Sequence, residues 1–147
     1  DTRITTSGQP TEAQLAELKS IGVTAIVNLG IHHSGKGALQ DEPRTVADLG
    51  MEYIYIPVDF ENPTDADYNA FKEALADRPN TNIHVHCIYN ARVSAFFYRY
   101  AMDGFAMSVA QALENMESIW RPGAAWADFI GDEEAADQPN RYAGDDY

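Results

Sequence analysis

The stretch that decides the fold is Asn82-Ile83-His84-Val85-His86-Cys87-Ile88-Tyr89-Asn90-Ala91-Arg92-Val93. Asn82 to His86 reads as a strand that stops at Cys87. From Val93 onward, Phe96, Phe97 and Tyr100 recur at helical spacing. A strand-to-helix turn of this kind aims several backbone N–H groups into one concavity, which makes an anion nest. The same field favours a thiolate, since thiols at helix N-termini fall from about 8.5 to roughly 3.5–7.5 in pKa. Arg92 returns at the helix start, where its planar fork matches two oxygens of a tetrahedral oxyanion. Asn90 sits in mid-loop, and Asn is one of the few non-glycine residues that tolerate a left-handed backbone. A cysteine and an arginine at this spacing also fit a plainer account: a small apolar residue at a strand end and a salt-bridged arginine on the next helix. The strand before, the helix after and His86 beside the cysteine tip the balance towards reactivity.

Outward from this turn, short β-type runs alternate with helical patterns. Thr11 to Gln14 resembles a capping box, and Leu15 and Leu18 then give apolar spacing until Gly22. Val23 to Leu29 is a strand of the kind covered on both faces, Gly30 to Gly37 a loop, and Asp41 to Leu49 a short helix closed by Gly50. Tyr53 to Val58 is the next strand, with Pro57 limiting further pairing. Thr64 caps a helix carrying Tyr68, Phe71, Ala74 and Leu75 that ends before Pro79. After the Val93 helix, Val109, Leu113, Met116 and Trp120 repeat at helical spacing, and Ala124 to Ile130 carries Trp126 and Phe129. The expected architecture is α/β, three-layered, with a mostly parallel central sheet of about four or five strands flanked by helices. Ligands of such sheets sit at the carboxyl ends of strands, where Cys87 falls. Residues 1–131 form one expected domain. Residues 132–147 form an acidic tail, solvated and poorly ordered or wrapped on the surface, with six carboxylates and one Arg.

The 147 residues leave room for little more than one domain. With 10 Lys and Arg against 23 Asp and Glu, the net charge is −13, a field that repels polyanions and argues against nucleic-acid partners. An anionic substrate must be captured by a few aimed donors. No apolar run approaches the ~18 residues a membrane helix needs, so no membrane insertion is expected. A single cysteine excludes an internal disulfide framework. The adjacent His32 and His33 lack a third ligand at suitable spacing, so no metal is expected. The chain begins at Asp1 rather than Met, which suits a periplasmic or secreted form matured by leader removal, or otherwise a cytoplasmic one.

The segment His86 to Arg92 resembles the signature loop of the cysteine-based protein tyrosine and dual-specificity phosphatases, in which His-Cys opens a phosphate-binding loop closed by Arg. The wider chain is similar to a bacterial phosphatase-like group of that superfamily. The likeness rests on TSGQPT (6–11), VNL (27–29), VDFENPT (58–64) and HCIYNARVSAF (86–96), and extends to about Phe129. It implies a dual-specificity-phosphatase-like fold, no cofactor and a phosphorylated substrate. In the roles it implies, Cys87 is the nucleophile, and Arg92 and the loop Ile88, Tyr89, Asn90 and Ala91 hold the oxyanion; His86, the last strand residue, either supports the thiolate or is a satisfied core histidine. Asp59, after the strand that ends at Val58, is the expected general acid, with Glu61 as its rival. Two departures stand out. Only four residues separate Cys87 from Arg92 where the usual loop has five, a spacing shared with the bacterial group and with rhodanese-type sulfurtransferases. Val93 follows Arg92, so the hydroxyl that normally eases release of the sulfur must come from Ser94 or be absent. His84 reads as structural, while His32, His33 and Lys36 belong either to the substrate rim or to a surface loop. Three functions follow in order: a phosphomonoester hydrolase, a sulfurtransferase carrying a Cys87 persulfide, and a non-catalytic oxyanion-binding module.

Overall fold

The computed structural model describes residues 3–32, 39–105 and 108–143; His33 and Lys36 lie outside them. Four strands, β1 (Ile4–Ser7), β2 (Ala25–Asn28), β3 (Glu52–Tyr55) and β4 (Ile83–His86), pair in the order β1-β4-β2-β3, all parallel. Every residue of β2 and β4 is buried, as strands at the middle of a covered parallel sheet must be. Cys87 therefore emerges from a central strand, at its carboxyl end.

Helices α1 (Glu12–Ser20), α2 (Glu42–Asp48), α3 (Asp65–Ala76), α4 (Ala91–Met102), α5 (Val109–Glu117) and α6 (Ala124–Ile130) complete the layers. The pleat divides the core. Ile26 joins Leu15, Val23, Val46 and Met51 in a cluster built with α1 and α2. Ala25 and Val27 join Ile83, Val85 and Cys87 with Phe71, Phe96, Trp120 and Trp126 on the opposite face. The α/β three-layer architecture is thus present, and α1 has its full capping box, with Thr11 and Gln14 satisfying each other's end of the helix.

Two features of the sheet have weak sequence signals. Strand β1 is Ile-Thr-Thr-Ser, an edge strand with little apolar alternation that owes its place to register pairing with β4. The strand expected over 53–58 instead spans Glu52–Tyr55, and Pro57 falls beyond it. Strands β5 (Trp120–Arg121) and β6 (Arg141–Tyr142) form a separate antiparallel pair. Residues from Asp132 to Ala143 wrap back on the domain, with a single 3-10 turn at Glu133–Ala135. Among the described residues no helix is long and apolar enough to cross a membrane, and no group of three or more His, Cys, Asp or Glu could hold a metal ion.

Candidate active site

Cys87 occupies the floor of a cavity of about 540 Å³ whose wall includes Phe60, Ile88, Tyr89, Ala91, Arg92 and Tyr142. The backbone N–H groups of Val93, Arg92 and Asn90 bond towards its sulfur, because the chain turns sharply there from β4 into α4. Asn90 makes that turn in the left-handed conformation, φ 66° and ψ 3°, as its mid-loop position predicts. Its Oδ1 and the Nε of Arg92 are both buried without a hydrogen-bond partner. Arg92 Cζ lies 5.3 Å from the Phe60 ring centre, so the guanidinium is braced by an aromatic face.

The thiol differs from expectation. Burial, the largest influence, pushes Cys87 above its ordinary value, while the Val93 N–H, the Arg92 charge and the Arg92 and Asn90 N–H groups pull the other way. At 1% exposure the cost of desolvating a thiolate outweighs the nest. A helix N-terminus alone does not deliver a lowered pKa when no water reaches the sulfur.

His86 is wholly buried beside Cys87. Its Nδ1 is 3.1 Å from the Cys87 carbonyl oxygen, and its Nε2 is 2.6 Å from Oε2 of Glu42. Both ring nitrogens face oxygens, so the ring is fixed between the loop backbone and the first turn of α2. Glu42, at 3% exposure, receives a second bond at Oε1 from the Gln9 amide, 2.7 Å. The chain Gln9–Glu42–His86 thereby ties the TSGQPT segment to the loop. Gly8 approaches the loop so closely that a Cβ there would stand 2.7 Å from the Ile88 carbonyl oxygen, and the Gln9 N–H donates to that same oxygen at 3.0 Å.

The other expected residues divide. Ile88, Tyr89 and Ala91 line the cavity with Cys87 and Arg92. Asp59 and Glu61 are both exposed on the loop after β3, and neither lines the cavity; Phe60 between them does. The Asp59 Oδ1 accepts the Glu61 N–H at 2.9 Å, which turns the carboxylate into its own loop. That loop is held by α6, since Trp126 Nε1 donates to the Phe60 carbonyl at 2.8 Å. Ser94 faces elsewhere: its hydroxyl donates to the Ala91 carbonyl and accepts from Trp120 Nε1, 2.7 and 3.0 Å, in a cavity separate from that of Cys87. It is a core tie between α4 and β5, with its proton already placed. His84 bonds Thr5 and Ser7 of β1, and His32 stacks on Tyr55 with ring centres 3.8 Å apart.

Glu42, Phe60 and Tyr142 carry no distinguishing motif of their own; a glutamate in the first turn of a helix reads as an ordinary dipole complement.

Proteins of known structure share this fold. The "Putative phosphatase (DUF442)" of Shewanella putrefaciens CN-32 is 35% identical, with a TM-score of 0.77 over 89% of this chain and 85% of that one. The chain belongs to the family of that protein, the DUF442 putative phosphatases. Tk-PTP, at 20% identity and a TM-score of 0.71 over 94% of each chain, shares the phosphatase fold. A "Beta-lactamase hydrolase-like protein" of Agrobacterium fabrum is 30% identical over 106 residues, 69% of this chain, which spans 24% of that relative's length. No family model matches the chain.

Proposed function

We propose that the protein hydrolyses phosphomonoesters through a phosphocysteine intermediate formed on Cys87. The observation that carries this reading is the convergence on one cavity of the Cys87 sulfur, three inward N–H groups and a buried, unpartnered Arg92 Nε. The Cys87 thiol passes its proton to an oxygen of the incoming phosphate dianion, the thiolate attacks phosphorus, and an S–P bond forms as the ester P–O bond breaks. Loop N–H groups between Ile88 and Arg92, with the guanidinium, stabilise the equatorial oxygens as charge builds on them. The proton for the leaving oxygen comes from the loop that carries Phe60 into the cavity: from Asp59 once its carboxylate swings away from the Glu61 N–H, with Glu61 as the competing donor. Water then attacks phosphorus, the S–P bond breaks, the acid recovers a proton, and inorganic phosphate leaves. These steps require no metal or organic cofactor, because fixed amides and a guanidinium supply the charge stabilisation.

The test is turnover of an aryl phosphate by the protein and by Cys87→Ser. The serine variant should lose turnover while still binding phosphate, because the amides and Arg92 remain; surviving turnover overturns the mechanism. Asp59→Asn and Glu61→Gln assign the acid, the true donor being the one whose loss costs more on an ester with a poor leaving group than on one with a good leaving group. The Cys-x4-Arg spacing also suits a persulfide, and turnover of thiosulfate with cyanide in place of aryl phosphate would assign sulfur transfer instead.

A further inference from the structure

The segment from Asp132 to Ala143 reads as an acidic tail, yet it is built into the domain at several points. Ala124 N–H donates to the Gln138 carbonyl at 2.9 Å, Gly123 N–H to Asn140 Oδ1 at 2.7 Å, and Ala143 N–H to the Ile119 carbonyl at 2.7 Å. Gly123 leaves no room above it: a Cβ there would meet the Gln138 carbonyl oxygen at 2.1 Å and that of Pro139 at 2.5 Å. The docking brings Tyr142 over Trp120, ring centres 5.8 Å apart and planes 20° from parallel, and into the wall of the cavity above Cys87. There it joins Phe60 and Tyr89, two aromatic residues from unrelated parts of the chain.

The chemistry of that wall is lopsided. Among the described residues, Arg92 is the only cationic side chain lining the cavity; the rest of the lining is aromatic or aliphatic apart from Cys87. One guanidinium and a ring of amides can neutralise one tetrahedral dianion. A second or third phosphate on the same substrate would find no further cation among the described residues of the lining, and the −13 net charge would work against it. Flat apolar surface, by contrast, gains from three aromatic neighbours.

We propose that residues 138–143 are part of the active site and that Tyr142 is a specificity-determining wall, selecting a single phosphate ester carried on a planar apolar group. This rests on the phosphomonoester reading for its chemistry, but the wall itself is a matter of binding. The experiment measures the ratio of kcat/KM for 1-naphthyl phosphate to that for glycerol phosphate in the unaltered protein, Tyr142→Phe, Tyr142→Leu and Tyr142→Ala. The ratio should fall about tenfold in the alanine variant and less in the leucine one, the size expected for losing one aromatic contact, and should hold within about twofold in the phenylalanine one. An unchanged ratio in the alanine variant overturns the proposal, as does a preference for a bisphosphate over its monophosphate counterpart. Calorimetric binding of 1-naphthyl phosphate to Cys87→Ser, with and without Tyr142→Ala, separates the two readings. If binding weakens with the tyrosine removed although the unaltered protein hydrolyses neither ester, the wall stands and the hydrolase reading falls. If hydrolysis proceeds while that binding is indifferent to Tyr142, the wall falls alone.

Discussion

Glu42 lies 44 positions before His86 in the chain, yet its carboxylate meets the histidine ring at 2.6 Å inside the protein. Both partners are almost without solvent, at 3% and 0% side-chain exposure, so neither polar group has water to fall back on. Removing one member strands the other. Glu42→Ala should therefore destabilise the fold by about 3–5 kcal/mol, the range for breaking a buried ion pair. Glu42→Gln, which keeps an acceptor oxygen for the ring and replaces the charge, should lose less. Urea unfolding of the two variants checks this, and an alanine loss under about 1 kcal/mol would mean the pair is not buried as described. At this scale the site was partly legible. Cys87, Arg92 and the left-handed Asn90 announce themselves by residue type and spacing. The rise in the thiol pKa does not, because it comes from burial that only packing creates.

Strand β4 carries two histidines with opposite surroundings on one face, ring centres 6.5 Å apart. His84 Nδ1 is 2.7 Å from the Thr5 hydroxyl and Nε2 is 2.7 Å from that of Ser7. Ser7 donates its own proton to the Gly8 carbonyl, so it accepts from Nε2–H and leaves Nδ1 to accept from Thr5. That scheme uses the neutral ring. Burial first, then the neighbouring His86 charge, pulls His84 down to about 4 from its ordinary 6.5. As pH falls below 6.5 the unfolded chain takes up a proton that the folded ring refuses, so folding stability declines until about pH 4, where the folded ring protonates too. The loss should approach about 3 kcal/mol, and it pins the edge strand β1 to β4 only while the ring is neutral. Unfolding free energies at pH 7 and pH 4.5 should differ less in His84→Gln than in the unaltered protein; an equal difference in both removes the assignment. The same pairing explains why β1 escapes detection: Ile-Thr-Thr-Ser lacks a periodic apolar face, and its partners for hydrogen bonding lie 79 residues away. Helices α1 and α3, by contrast, carry their caps in the local sequence at Thr11 and Thr64, and so they begin where those residues say they should.

Across the whole molecule, the C-terminal helices and the wrapped segment close the far side of the site. Phe60 packs on Trp120 and Trp126 at 5.7 and 5.8 Å between ring centres, so the loop bearing Asp59 and Glu61 rests on residues sixty positions later. Gly123 is the point on which that closure turns. Its backbone is extended, φ −129°, so any residue could adopt it; only space forbids a side chain. Gly123→Ala should push the 138–140 backbone away, cost about 1–3 kcal/mol as overpacking does, and speed amide hydrogen exchange across 138–143 while leaving exchange in β4 near its original rate. Unchanged exchange in that segment would show that it does not depend on the contact. Local residue order alone determined the alternation of strands and helices, the loop that presents Cys87 and the arginine that returns to it, because hydrophobic period, caps and turn residues act over a few positions. The tertiary structure decided the thiol's protonation balance, the buried Glu42–His86 contact behind it, the fate of the Ser94 hydroxyl and the aromatic wall from Tyr142, because burial and long-range contact set these, and neither exists until the chain has closed on itself.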